Sequence, residues 1–234
     1  MIQTEEFKEI LKGKKAALID MDGVLYDSMP WHSMAWRETM LELGIDIPEE
    51  EFFLYEGMTG PATINLLLER EWGKTLTLEE CNEFYSRKAV RFREMGEAPL
   101  MAGAREMIEN LQKRRIQRVL VTGSAQSSLL DRLEHDYPGG FPANKRVTAL
   151  DVTNGKPHPE PYLKGLEKAG VRAEEAFVIE NAPLGVKAGK GAGLFTVAVM
   201  TGPVPHEEFE KAGADIIFPS MPALAYALSV TPTS

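Results

Sequence analysis

The sequence predicts an α/β fold, a doubly wound parallel sheet with a helical domain inserted early in the chain. Three observations carry this. Short apolar, β-rich runs recur at 15–20, 118–122, 147–150, 176–180, 194–199 and 216–218; strands apolar at consecutive positions are buried on both faces, as in parallel sheets. Amphipathic stretches at 104–113, 127–134, 161–168 and 184–190 fall between them, and alternation of strand with helix is how such sheets are wound. From residue 29 to about 99 the strand signal disappears, leaving helical spacing at 35–43, 62–70 and 79–93, punctuated by Gly57, Gly60, Pro61 and Gly73.

The expected organisation is therefore an α/β core of residues 1–28 and 100–234 and a helical cap of residues 29–99. The insertion leaves after the first strand and returns before the second, so it should lie over the strands' carboxyl ends, where open α/β sheets bind ligands. Residues 229–234 read as a frayed tail.

Composition narrows the function. The chain has 234 residues, 44% hydrophobic and 26% charged, a globular balance rather than a disordered one. A formal charge of −9 disfavours nucleic acid as a partner, since nothing would drive counterion release. A phosphate substrate would meet the same repulsion and needs a local cation. No apolar run near the N-terminus suits a signal or a membrane span, and the single Cys81 allows no internal disulfide. A cytoplasmic protein with no membrane partner is expected, and a monomer is compatible with the sequence, which does not fix the oligomeric state. Cys81 sits in EECNEFY, with nothing electropositive to activate its thiol.

The polar residues at the strand ends carry the chemistry. In AALIDMDGVLYDS, Asp20 and Asp22 stand two apart on an extended chain and project together. Two such carboxylates need a cation if both are ionised, or leave one protonated as an acid; alone, they could equally be turn residues. Thr122-Gly123-Ser124 places hydroxyls and amides at a helix start, suited to phosphate oxygens or to simple capping. Lys156 lies in GKPHP, a rigid loop before a helix, and is either a charge offset or a solvated lysine. Glu180 and Asn181 end the strand AFVIE with oxygen donors of the kind Mg²⁺ prefers. Four strand ends each supplying one such element amount to a phosphoryl-transfer site. Asp20 and Asp22 would be nucleophile and acid/base, Thr122 an oxygen ligand, Lys156 a counter-charge, and Glu180 with Asn181 a metal site.

Taken in order, DMDGVLYDSMPWH, YEGMTG, VTGS, GKPHPEPYL and VIENAPLGVKAG resemble the haloacid dehalogenase-like superfamily from Lys15 to about Leu228. The helical insertion is similar to that of the β-phosphoglucomutase branch, and the nearest likeness is to bacterial inorganic pyrophosphatases of this fold. The resemblance implies a Rossmann-type core and an aspartyl-phosphate formed on Asp20. Asp22 would protonate the leaving oxygen and later deprotonate water. Mg²⁺ would sit on the Asp20 carboxylate, the Asp22 main-chain carbonyl and Glu180.

One departure stands out. Asn181 occupies a place usually held by a second acid, and Glu56, on the glycine-flexed loop YEGMTG, is the candidate replacement at the metal; otherwise it is a turn residue. Mutase-like sequences carry basic residues in this loop, whereas Glu56 and Gly60 stand here. His32 matches a histidine of the mutase branch, or is a polar residue at a helix start. Tyr85 packs the cap beside Phe84 or lines the substrate space with Gly123, Ser124 and His32. The leading expectation is Mg²⁺-dependent hydrolysis of inorganic pyrophosphate. β-Phosphoglucomutase and sugar-phosphate phosphatase are the enzymatic alternatives, and a phosphate-binding regulatory protein is the non-enzymatic one.

Overall fold

A computed structural model describes residues 4–124 and 127–229, so the tail beyond Ser229 lies outside the described residues. Six parallel strands, β1 (Ala16–Ile19), β2 (Gln117–Val121), β3 (Arg146–Val147), β4 (Ala176–Glu180), β5 (Phe195–Val199) and β6 (Ile216–Phe218), form one sheet. Their order is β3-β2-β1-β4-β5-β6. Alternate residues of the central strands enter two separate clusters. Ala17, Ile19, Leu120, Phe177 and Ile179 face one side, and Ala16, Leu18, Val119, Val121 and Val178 face the other. With both faces covered, no polar alternation survives in these strands. Winding reverses between β1 and β4, which opens a crevice at their carboxyl ends.

Helices α1 (Thr4–Leu11), α5 (Ala104–Lys113) and α10 (Met221–Leu228) cover the first face, where Phe7 meets Phe177, Phe195 and Phe218 at ring-centroid distances of 6.3, 6.1 and 5.6 Å. Helices α7 (Glu160–Ala169) and α8 (Pro183–Gly191) contribute Tyr162, Ala169 and Ala188 to the second. Helices α6 (Ser127–Asp136) and α9 (His206–Ala212) complete the core. The α1, α9 and α10 segments are helices that the sequence reading did not identify.

The expected strand over 147–150 ends at Val147. Thr148 and Asp151 close a reciprocal turn, with the Thr148 amide donating to Asp151 at 2.8 Å and the Leu150 amide to Thr148 Oγ1 at 3.3 Å. Local side-chain bonds outcompete the ladder there, and Leu150 is 85% exposed.

Between β1 and α5 the chain is helical: α2 (Met29–Glu42), a 3₁₀ segment (Glu49–Tyr55), α3 (Gly60–Trp72) and α4 (Leu78–Glu94). Thr77 and Glu80 start α4 with a capping box, and Gly73 ends α3 in the left-handed region. These helices bury their own cluster, including Met40, Phe52, Ile64, Leu67 and Cys81. Both crossings to the core run side by side, tied by Asp27 N to Pro99 O and Met101 N to Leu25 O, each 2.9 Å. Phe53 plugs into the core against Val186, Val204 and Phe209. Among the described residues no helix is long and apolar enough to cross a membrane.

Candidate active site

The crevice at the β1/β4 reversal is roofed by the inserted helices. Asp20, Thr122 and Gly123 from the strand ends and His32, Glu56, Tyr85 and Lys88 from the roof line one cavity of about 50 Å³. By this measure a single water needs roughly 10–15 Å³, so the closed space accommodates only a few water-sized groups.

Asp20 is buried one residue past β1. The Lys156 ammonium donates to Asp20 Oδ1 at 2.6 Å, to Glu180 Oε1 at 2.5 Å and to the Val121 carbonyl at 3.1 Å. All three of its protons are thereby used. Burial pushes the Asp20 carboxyl up to about 8; Lys156 pulls it down, and Glu180 and Asp22 add to the rise. The two carboxylates hold Lys156 protonated, well above an ordinary lysine, against the opposing effect of burial.

Asp22 has different partners. Its Oδ1 accepts from Ser28 Oγ at 2.6 Å and His32 Nε2 at 2.9 Å. Ser28 precedes α2 but makes no side-chain cap, because its hydroxyl is committed to Asp22. Burial alone would raise the Asp22 carboxyl, but His32, Ser28 and Lys88 together outweigh it and hold it below the usual range. On its far side, His32 Nδ1 meets the Lys88 ammonium. An ammonium only donates, so Nδ1 is the acceptor and Nε2 carries the proton facing Asp22. Burial, followed by Lys88, lowers the His32 pKa, in keeping with a neutral ring.

Lys88 is 1% exposed on α4, with its nitrogen 5.2, 5.9 and 5.3 Å from the Trp36, Tyr85 and Phe92 ring centroids. Burial brings its pKa down to about 7. The sequence reading missed this residue. The available signal was a lysine on the buried stripe of α4, in phase with Cys81, Tyr85 and Phe92.

Gly23 turns the chain after Asp22 with φ +75°, and a β-carbon there would lie 2.0 Å from Asn181 Nδ2. That amide donates to both oxygens of Glu56, at 3.1 and 2.9 Å, which joins the roof loop to the end of β4. Burial first, and then Asp20, Glu180 and Asp22, push the Glu56 carboxyl well up. Asn181 Oδ1 is buried without a hydrogen-bond partner, alone in this among the described side chains.

Glu180 accepts from Lys156, from Tyr162 Oη at 2.7 Å and from the Asn181 and Ala182 amides at 3.1 and 3.2 Å. Its four lone-pair directions are therefore engaged, so direct metal ligation would require one donor to leave. Tyr162 and Ser28 also escaped the sequence reading. Thr122 Oγ1 accepts the Ser124 amide at 3.0 Å, and Gly123 lies against the Gly57 carbonyl. The eleven residues singled out from sequence thus converge here, though Glu180 points to Lys156 and Tyr162 rather than into the cavity.

A magnesium ion would have to be held by the cavity's own donors. Among the described residues no three His, Cys, Asp or Glu side chains form a ready ligand cluster. The donors present are nevertheless oxygens: the Asp20, Asp22 and Glu56 carboxylates and the orphaned Asn181 carbonyl. A few oxygen donors suit an ion that keeps several waters, and an unpartnered buried acceptor beside crowded carboxylates fits a cation.

The chain is similar to several known proteins. A solved structure described as "Putative beta-phosphoglucomutase from Bacteroides vulgatus" is 43% identical with a TM-score of 0.90, covering 97% of this chain and 98% of that one. Hexitol phosphatase A of Escherichia coli (strain K12) is 30% identical over 185 residues, 79% of this chain and 82% of that protein. "Putative pyrophosphatase PpaX" of Caldanaerobacter subterraneus subsp. tengcongensis is 26% identical over 212 residues, 88% of this chain and 90% of that protein. Residues 14–193 match the haloacid dehalogenase-like hydrolases, and the chain belongs to that family.

Proposed function

We propose that the protein is a magnesium-dependent phosphohydrolase that works through an aspartyl-phosphate on Asp20, with inorganic pyrophosphate as its substrate. The observation carrying the substrate assignment is Glu56, half-buried on the roof loop and hydrogen-bonded to Asn181 over a cavity of about 50 Å³. An acid at that position repels a second phosphate unless a cation lies between them, and the confined space leaves little room for a sugar.

Bound magnesium would offset the crowded negative charge. Asp20, the Asp22 main-chain carbonyl, Asn181 and Glu56 would hold it, with Glu180 at its edge. Lys156 holds the Asp20 carboxylate in place for attack on phosphorus, and the Thr122 hydroxyl, oriented by the Ser124 amide, receives the phosphoryl oxygens with the Gly123 amide. As the Asp20–phosphorus bond forms, the bond to the leaving oxygen breaks. Water then attacks phosphorus, Asp22 takes its proton, and Asp20 is released. His32 and Ser28 keep Asp22 ionised, as a base needs, and phosphate as a leaving group demands less of an acid than an alkoxide does.

Sugar-phosphate hydrolysis is the second reading, favoured by the 30% identity to a hexitol phosphatase. Mutase action is disfavoured by Glu56 and Gly60 on the roof loop. A panel of pyrophosphate, a hexitol phosphate and β-glucose 1-phosphate with Mg²⁺ tests the assignment; kcat/KM higher for the hexitol phosphate than for pyrophosphate would overturn it.

A further inference from the structure

We propose that Gly123 and Gly155 form a seat for the roof loop, and that the depth of this seat restricts the closed site to compact phosphate compounds. The choice of compounds rests on the phosphohydrolase reading above. The loop meets the core through main chain at Gly57 and through both side chain and main chain at Thr59. A β-carbon on Gly123 would fall 2.5 Å from the Gly57 carbonyl oxygen, and one on Gly155 would fall 2.8 Å from Thr59 Cγ2 and 3.1 Å from Thr59 N. Gly57 in turn lies over the Lys156 stem, where a β-carbon would be 2.7 Å from Cδ.

Turn geometry does not account for the two core glycines. Gly57 has φ +90°, but Gly123 and Gly155 lie outside the left-handed region, where an alanine is equally at ease. What glycine provides there is close approach. Gly123 follows β2 and Gly155 precedes Lys156, and the Gly57 carbonyl lies within 3.5 Å of a β-carbon on either, so the roof loop settles against both and delivers Glu56 to Asn181. Carbon atoms in contact prefer roughly 3.5–4.0 Å; a methyl on either glycine would therefore lift the loop by about 1 Å, part Glu56 from Asn181 and raise the ceiling over the cavity.

Gly155→Ala tests the seat, because Gly155 touches no proposed reacting group. Two readouts apply in magnesium buffer: amide hydrogen exchange at residues 56–60, and the ratio of kcat/KM for pyrophosphate to that for a hexitol phosphate. The expectation is exchange about 10-fold faster and a ratio about 10-fold lower. Adding Thr59→Ser, which removes the Cγ2 atom under the wedge, should restore both to within about 3-fold. Should Gly155→Ala fail to fold, Thr59→Leu applies the wedge from the roof side with the same expectations. An unchanged ratio, unchanged exchange, or a loss that Thr59→Ser does not restore overturns the seat. A wild-type preference for hexitol phosphate would overturn the pyrophosphate assignment instead, while the change in ratio on substitution still tests the seat.

Discussion

Lys88 is a charged group placed where folding alone would not choose it. Its drop from 10.5 to about 7, caused by burial, is equivalent to roughly 5 kcal/mol at 1.4 kcal/mol per pKa unit, as an upper bound. The sign follows from proton counts. Between pH 7 and 10.5 the unfolded chain binds a proton at this lysine that the folded chain gives up. The penalty is thus fully present below about pH 7 and vanishes above about pH 10.5, and the wild type gains stability as pH rises through that window. Lys88→Met keeps the length and apolar stem of the side chain but has no charge to desolvate. Against this stands one lost hydrogen bond to His32, worth about 1 kcal/mol. The variant should be more stable than wild type by about 1–4 kcal/mol at pH 7, and the difference should shrink towards pH 10. It should also lose about 10-fold or more in kcat/KM, because His32 no longer has the donor that keeps its Nε2 proton directed at Asp22. Urea denaturation of both proteins at pH 7, 8, 9 and 10, with activity at pH 7, reads these effects. A stability difference flat across pH would refute the claim that a buried ammonium is being strained, and full activity would remove Lys88 from the Asp22 relay.

Asp20→Asn should lower turnover by about 10³-fold or more, since an amide is a poor nucleophile. Its metal-free thermal midpoint should not fall, because burial already holds this carboxyl up at about 8; substantial residual turnover would refute the aspartyl-phosphate. Asp22→Ala should cost about 10²–10⁴-fold with a hexitol phosphate and clearly less with an aryl phosphate, whose leaving group needs no proton. Equal losses on both would take Asp22 out of the acid role. Glu56→Ala should raise the Mg²⁺ concentration for half-maximal activity by about 10-fold and depress pyrophosphate hydrolysis more than aryl phosphate hydrolysis. An unchanged metal titration and substrate ranking would reduce Glu56 to a turn residue.

The sequence by itself determined the sheet, because strands buried on both faces are apolar at consecutive positions and so stand out as Ala16–Ile19 or residues 176–179 do. It also marked Asp20, Asp22, Thr122, Lys156, Glu180 and Asn181, since a polar residue that ends an apolar strand is conspicuous. The strand read over 147–150 shares only Val147 with β3 (Arg146–Val147), because a Thr148–Asp151 side-chain turn resembles strand in composition and differs from it in hydrogen bonding. Pairings were decided by tertiary structure. Glu56 and Asn181 lie 125 residues apart in the chain, and Lys88 and His32 lie 56 apart. Periodicity assigns a residue to a face but not to a partner on another element. Lys88 shows the limit: its phase on α4 places it inside, its side-chain type argues for solvent, and only the docking of α4 against α2 brings it to His32 and Asp22. Glu180 shows the converse, with a residue type that suits metal but neighbours, Lys156 and Tyr162, that occupy it first. Which oxygen keeps a free lone pair depends on how many donors the fold brings to it, and that number exists only once the chain has closed.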